Sequence, residues 1–317
     1  MKRIFGVLLI VILLFLISIY IFIPRNIIIS KVTLINCNTE AVSRMVLYPA
    51  NWQKWTSKAP SFAANSPATG NLFTHKGTSY QITKLLHNSI DVLIKSKNYK
   101  TNSVINILPL PADSTAVQWK TNIITGFNPF ERIWLYLQAV TIKNDMADIL
   151  FNLRSFLEKN ENVYNISIRK TSTIDTVMIA TKSVSTVYPA APVIYKKIKF
   201  LQDYISAKGA IQTGAPMVNI TKLNKDQYQY MVAVPTNKAL QEGQNIFLRK
   251  MVRGNFLVTE VKGGESTVNE AMKNMQLYIS DYKKTSMAIP FQSFVTDRSK
   301  EADSSKWITK IYFPIYY

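Results

Sequence analysis

From Ile4 to Ile23 the chain runs for twenty residues without a charge, almost all of them Leu, Ile, Val and Phe. At a rise of about 1.5 Å per residue that run reaches about 30 Å as an α-helix, the depth of a bilayer's hydrocarbon core. A cleaved signal peptide carries a shorter apolar region followed by small residues, whereas Tyr20, Ile21, Phe22, Ile23 and Pro24 occupy that place. The reading is therefore a retained transmembrane anchor over residues 1–25. Lys2 and Arg3 precede the run and Arg25 and Lys31 follow it, so basic residues flank it almost evenly. A very short basic N-terminus ahead of such a run stays in the cytoplasm, which puts the soluble part on the extracytoplasmic side of the membrane in a single-pass arrangement.

Beyond the anchor the chain has room for two domains of ordinary size, each with its own core. Cys37 is the only cysteine, so neither an internal disulfide nor a cysteine metal cage can form. The two histidines, His75 and His87, stand apart from any metal-ligand spacing, and neither a metal site nor a cofactor is expected. The formal charge is +19, but the 38 Lys and Arg are scattered through both halves with no nucleic-acid-binding motif. Nucleic acid is not the expected partner. A basic body tethered beside anionic head groups is drawn to that surface, and a merely solvated basic surface is the competing reading. Nothing in the residues fixes an oligomeric state.

Asn26–Leu34 alternates as a strand, and Asn36–Thr39 caps a short helix over Glu40–Leu47. Ala59–Gly70 has the turn chemistry of a loop, after which Tyr80–Leu86, Ile90–Ser96, Ser103–Pro109 and Ala116–Ile124 read as an antiparallel meander. From Asn144 to Asn160 the period changes: Met146, Ile149, Leu150, Leu153, Phe156 and Leu157 recur at helical spacing. A strand and short helix carrying Tyr48, Pro49, Trp52 and Trp55, then a sheet, then the closing helix NDMADILFNLRSFLEK, resembles the START-like (SRPBCC, polyketide cyclase) superfamily over about residues 27–160. The resemblance implies a helix-grip domain over 26–161 whose sheet wraps the long helix around an apolar cavity. Trp52, Trp55, Tyr80, Trp119 and Trp134 are then candidates for its lining, with plain core packing as the alternative for each. No motif carries a family activity onto named residues.

The second half repeats a theme. Asn165–Arg169 and Thr176–Val187 read as strands, Val193–Lys208 as a helix closed by Gly209, and Tyr228–Val234 as a strand. Then Ile246–Val252 and Asn255–Lys262 read as a hairpin over Arg253 and Gly254, Glu265–Lys283 as a helix, and Ser293–Asp297 and Trp307–Pro314 as closing strands. The runs MVRGNFLVTEVKGGESTVNEAMKNMQLYI and FVTDRSKEADSSKWITKIYFPI resemble the GyrI-like effector-binding domain over about residues 163–317. This bacterial family occurs in multidrug-responsive activators, a gyrase-inhibitory protein and stand-alone binding proteins. The resemblance implies a pseudo-twofold α+β domain over 162–317 with an antiparallel sheet and an aromatic cleft where the repeats meet.

Many members of that family place a buried Glu in the last strand to attract cationic drugs, and Lys310 stands there in this chain. An ammonium favours anionic or neutral ligands over organic cations, and in an apolar site its pKa falls. The alternative is a structural pair with Glu260, in the strand Asn255–Lys262. Strand alternation puts Ile308, Lys310 and Tyr312 on one face and Trp307, Thr309, Ile311 and Phe313 on the other. Tyr230, Tyr278 and Phe291 are further aromatic candidates for the ligand site, each with a core alternative.

The expectation is an α+β, membrane-anchored, non-catalytic binder of a small amphipathic or apolar molecule, a receptor, carrier or sensor. The competing expectation is a hydrolase or cyclase acting on a small reactive substrate, with Glu260 or Lys310 as acid or base. No catalytic residue set with a nucleophile, base and orienting group stands out.

Overall fold

A computed structural model describes residues 2–56, 72–96, 99–173, 176–251, 253–286 and 288–316. The expected loop Ala59–Gly70 lies outside these residues. The protein is α+β, with two antiparallel sheets and an apolar N-terminal helix. It divides into two compact units, Met1–Lys159 and Asn160–Tyr317.

The first unit opens with α1 (Lys2–Phe22), whose side chains from Ile4 to Phe15 are all exposed. Its end is docked. Ile19 and Ile23 are buried, and the Tyr20 hydroxyl donates to the Phe127 carbonyl. Arg132 donates its Nε–H to the Ile23 carbonyl at 2.7 Å and lays its guanidinium 4.8 Å above the Tyr20 ring. A cation against the last carbonyls of a helix is favourably placed in the helix dipole.

Next in the chain come β1 (Asn26–Ile35), α2 (Thr39–Leu47), a 3₁₀ turn at Pro49–Lys54, β2 (Leu72–His75), β3 (Thr78–Leu85), β4 (Ser89–Ser96), β5 (Tyr99–Leu110), β6 (Ser114–Ile124) and α3 (Pro129–Leu157). The strands form one antiparallel sheet in the order β1-β6-β5-β4-β3-β2, and α3 packs mainly against β1. The strand β2 is an addition to the sequence reading. It is joined to β3 by Lys76 and Gly77, both at positive φ, a two-residue turn of the kind that suits the twist of a hairpin.

The long helix starts at Pro129 rather than at the expected Asn144. Asn128 caps it, its Oδ1 accepting from the Phe130 and Glu131 N–H groups, and Pro129 takes the first turn, where no N–H is needed. Exposed Phe130, Tyr136, Leu137 and Val140 blur the amphipathic pattern that buried Arg132, Leu135, Ala139 and Ile142 otherwise set.

The second unit comprises α4 (Asn160–Tyr164), β7 (Arg169–Thr173), β8 (Thr176–Ser185), α5 (Ala191–Ala207), β9 (Met217–Asn224), β10 (Gln227–Thr236), β11 (Phe247–Met251), β12 (Gly254–Lys262), α6 (Glu265–Asp281), β13 (Phe291–Phe294) and β14 (Ile308–Ile315). The expected strand Asn165–Arg169 begins only at its last residue, because α4 and a turn occupy the approach. Its eight strands run β11-β8-β10-β9-β13-β14-β12-β7. The order β8-β10-β9 is mirrored by β12-β14-β13, so two strand–helix–strand–strand repeats meet between β9 and β13.

One helix covers each half of the same sheet face. Ile194, Ile198, Leu201 and Ile205 of α5 pack on Ile179, Val218, Val232 and Val234, and Gly209 ends the helix at φ +59. On the other half, Val268, Ala271 and Met275 of α6 are buried on the side of β12 and β14, with Leu257, Thr259, Ile311 and Phe313.

The expected hairpin between β11 and β12 does not form. β11 pairs with β8, and β12 pairs with β14 and β7, so the two strands belong to opposite ends of the sheet. Only Val252 and Arg253 link them, which holds Met251 and Gly254 within about 11 Å of each other. Laid flat, six strand spacings of about 4.8 Å would separate them by nearly 30 Å. The sheet therefore curls, and the face opposite the helices becomes the inside of a trough.

Candidate functional site

Four of the five aromatics proposed for the first unit come together, with Phe73, as one packed array. Trp52 lies 4.8 Å from Trp55 and 5.0 Å from Phe73; Phe73 stacks on Tyr80 at 4.9 Å; and Tyr80 meets Trp119 at 5.5 Å. All are at most 5% exposed, and their polar atoms are engaged internally. Trp52 Nε1 donates to the Val46 carbonyl at 2.7 Å and Trp55 Nε1 to the Met45 carbonyl at 3.3 Å. Trp119 Nε1 donates to Ser103 Oγ at 2.9 Å, and that hydroxyl donates to the Val92 carbonyl at 2.7 Å. Such an array holds the sheet to its surroundings. Trp134 stands apart, half-buried and edge-on to Tyr99 at 6.2 Å.

At the end of this array the Tyr80 hydroxyl donates to Asp145 Oδ2 at 3.1 Å. Asp145, on α3, is 2% exposed, and burial pushes its carboxyl above the ordinary range against the opposing pull of Tyr80, His75, Thr78 and Lys76. Burial, with Asp145 beside it, also pushes the Tyr80 hydroxyl up strongly. His75 Nε2 is buried without a hydrogen-bond partner, 3.9 Å from Asp148, which instead pairs with Lys76 at 2.5 Å.

In the second unit the expected alternation along β14 holds. Thr309, Ile311 and Phe313 are buried on the helix side, and Lys310 and Tyr312 point the other way. Glu260 lies directly across from Lys310, with 3.7 Å between the charged atoms. The expectation of a buried Lys310 fails: its side chain is 42% exposed and Glu260's is 44%. An open cross-strand pair of this kind contributes little energy and leaves no stranded charge to draw in a ligand. Phe291 stacks on Tyr312 at 4.8 Å. Tyr230 and Tyr278 are not with them. Tyr230 shares the strand parity of Val232 and Val234 under α5, while Tyr278 sits on α6 against Tyr164 and Tyr282.

A second cation of this unit stands elsewhere. Arg298, in the connection from β13 to β14, lays its guanidinium 3.6 Å from the Phe294 ring centre and 4.7 Å from that of Trp307. Its Nη2 donates to Thr309 Oγ1 at 2.6 Å. Its backbone N–H donates to the Tyr195 hydroxyl at 2.9 Å, which fixes the connection against α5. The side chain as a whole is half-buried, but Nε is shut off from solvent and has no hydrogen-bond partner. Among the described residues no carboxylate forms an ion pair with it. Asp297, next in the chain, is taken by the Ser299 hydroxyl and N–H, which hold its carboxyl below the ordinary range. Burial pulls the Arg298 pKa down, with Tyr188 and Tyr195 acting in the other direction.

Tyr188 adds a second polar group. Burial first, and Glu265 second, push its hydroxyl up to about 12, while Arg298 and a hydrogen bond with Gln292 act against the rise. Gln292 is 4% exposed, and the Tyr188 ring meets Tyr228 edge-on at 5.7 Å. Next to Arg298, which does not itself line it, a groove of about 630 Å³ is lined in part by Tyr195, Lys196, Lys199, Phe294 and the carboxylate Asp297. The result is a cation set over two aromatic rings and near a neutral phenol and a neutral amide, with Lys196, Lys199 and Asp297 along the adjoining groove. A guanidinium is chemically suited to pair with carboxylates or phosphates. The sequence offered one faint sign of it: Phe294, Arg298 and Trp307 all fall within the closing run FVTDRSKEADSSKWITKIYFPI.

No family model and no curated protein matches the chain. Among solved structures it is similar to the EcmrR C-terminal domain, at 15% identity and a TM-score of 0.42, covering 48% of this chain and 98% of that one. It is also similar to SAV2435 bound to tetraphenylphosphonium, at 16% identity and 0.30, covering 47% and 94%. A START superfamily protein from Mycobacterium smegmatis matches at 16% identity and 0.29, covering 41% and 94%. Likenesses this distant leave the chemistry of the chain to its own residues.

Proposed function

We propose that the chain is a membrane-anchored, non-catalytic protein that binds a small anionic molecule in the Asn160–Tyr317 unit, as a receptor, carrier or sensor. The observation that carries this reading is Arg298, a half-buried guanidinium that has no carboxylate partner among the described residues. A charge withdrawn from water is costly unless paired. A ligand carboxylate or phosphate pairs with the part of the guanidinium that solvent reaches, and Tyr195 and Phe294 in the adjoining groove supply apolar surface for the rest of the molecule. Anchoring is supported by Ile4–Phe22, 19 residues at mean hydropathy 3.2 and 6% buried. Glu260, the acid or base that a hydrolytic reading needs, is nearly half exposed and engaged with Lys310.

The test is calorimetric titration of the full-length detergent-solubilised protein with a panel of aromatic carboxylates, aryl phosphates and matched organic cations. Anions bind and cations do not. Arg298→Gln weakens the bound anion by about ten- to a hundredfold, as loss of one charge-assisted hydrogen bond requires. Equal binding of both charge classes, or an unchanged affinity in Arg298→Gln, overturns the proposal.

A further inference from the structure

The passage from β6 into α3 carries three exposed apolar side chains, Ile124, Phe127 and Phe130, with the two rings 79% and 78% exposed. Single apolar residues on a surface are ordinary, but neighbouring bare rings mark a face that something covers. Their height is set by the end of α1. The Tyr20 hydroxyl donates to the Phe127 carbonyl. Side chains on an α-helix lean toward its N-terminus, so that hydroxyl lies no nearer the C-terminal end of α1 than Tyr20 itself. Tyr20 stands two residues before the end of the apolar span Ile4–Phe22, or about 3 Å short of it. Phe127 therefore sits level with the final turn of the span and not beyond it. Arg132 reaches the Ile23 carbonyl, so the first turn of α3 runs beside the same turn of α1, and Phe130 falls between the two contacts in the chain.

The charges beside these rings mark an interface. Arg25 is exposed, its guanidinium 5.5 Å from the Phe127 ring centre. Glu131 is exposed as well, its carboxylate folded over Gly126, where an added Cβ would stand 2.9 Å from Oε2. Aromatic rings among charged groups at the end of an apolar span are the composition of the head-group layer, whereas the hydrocarbon core would strip both charges of water.

We propose that the Ile124–Phe130 segment is a lipid-facing foot that seats Phe127 and Phe130 among the head groups and upper acyl chains of the leaflet from which α1 emerges. The inference rests on the reading of α1 as a membrane anchor and adds a second contact to it. The partner is the bilayer, because the patch adjoins the last turn of the span, and Arg25 beside it meets lipid phosphate. Helix and foot together fix the tilt of the six-stranded sheet on the membrane, which the helix alone leaves free.

The test is nitroxide labelling of the full-length chain in phosphatidylethanolamine–phosphatidylglycerol vesicles, on a Cys37→Ala background, comparing relaxation by oxygen with relaxation by a water-soluble nickel chelate. Labels are placed at Phe127→Cys and Phe130→Cys, and at Ile12→Cys in the middle of the span. A reference label at exposed Pro111→Cys lies past the far end of β6, about 30 Å from Ile124. Both rings are exposed and Tyr20 bonds to a backbone carbonyl, so the substitutions at 127 and 130 leave the fold in place. Oxygen relaxes the labels at 127, 130 and 12 more strongly than nickel does, and the order reverses at 111. Labels at 127 and 130 as open to nickel as the label at 111, with 12 still in lipid, overturn the foot and leave the anchor standing. Nickel access at 12 overturns the anchor and the foot with it. Labels at 127 and 130 shielded from both reagents, or broadened until unlabelled protein dilutes them, assign the patch to protein or to a second copy and overturn the proposal.

Discussion

Replacing Arg298 by Met together with Thr309 by Val separates a functional cation from a structural one. The double change is needed because Thr309 is fully buried and its hydroxyl accepts from Arg298, so the single change strands it. Exchanging both partners of a hydrogen bond for apolar groups of similar shape is close to neutral. Removing the orphaned Nε relieves a cost of about 1–3 kcal/mol, weighted toward the lower end because the side chain is half exposed. Losing the contacts with Phe294 and Trp307 costs about 0.5–1 kcal/mol. The methionine keeps the stem's packing. The balance lies between zero and about 2 kcal/mol in favour of the variant, which for a unit of this size raises Tm by up to roughly 8 °C. The assay is thermal unfolding of the ligand-free full chain, paired with the anion titration, where affinity drops at least tenfold. A fall in Tm of more than about 4 °C refutes the reasoning, because it makes the aromatic sandwich and Thr309 the reason Arg298 is there.

Two further changes probe the first unit. Asp145 has a folded-state pKa above its ordinary value of 3.8, so the native state holds its proton more tightly than the unfolded chain and stability falls as pH rises through that window. Asp145→Asn, which can still accept from Tyr80, removes that fall: urea midpoints of variant minus wild type increase from pH 3 to pH 7, and an unchanged difference refutes the assignment. Trp119→Phe keeps the ring in the aromatic array but removes the donor to Ser103, and costs about 1–3 kcal/mol by denaturant titration; a loss below about 0.5 kcal/mol shows that Ser103 finds another partner.

Local signals were legible in the sequence and non-local ones were not. The apolar run, the Asn38-capped helix α2, the Gly209 stop and the alternation along β14 each depend on residues near one another in the chain, and each was readable. Even the pairing of Glu260 with Lys310 followed from two strand assignments, though its exposure did not. The β11–β12 hairpin misled because a two-residue link between strands is the usual mark of a hairpin, and only a curled sheet allows the link without the pairing. β9 escaped notice because its run through Thr221, Lys222, Leu223 and Asn224 is exposed and carries no alternation. Arg298 was invisible as a site because Phe294 and Trp307 reach it from the ends of two different strands. Met178, Met217, Met231 and Met251 come from four strands and share the inner face of the curled sheet only once register is set.

The bond from Arg132 to the Ile23 carbonyl changes what the N-terminal helix does mechanically. Three residues after that carbonyl the chain enters β1, and Thr125 N–H clasps the Arg25 carbonyl at 2.8 Å across the intervening bend. Helix and first strand are thus clamped at the joint instead of being linked by a slack leash. A tilt imposed on the helix is passed as torque to the six-stranded sheet, and the unit can swivel only after the clamp at Arg132 lets go.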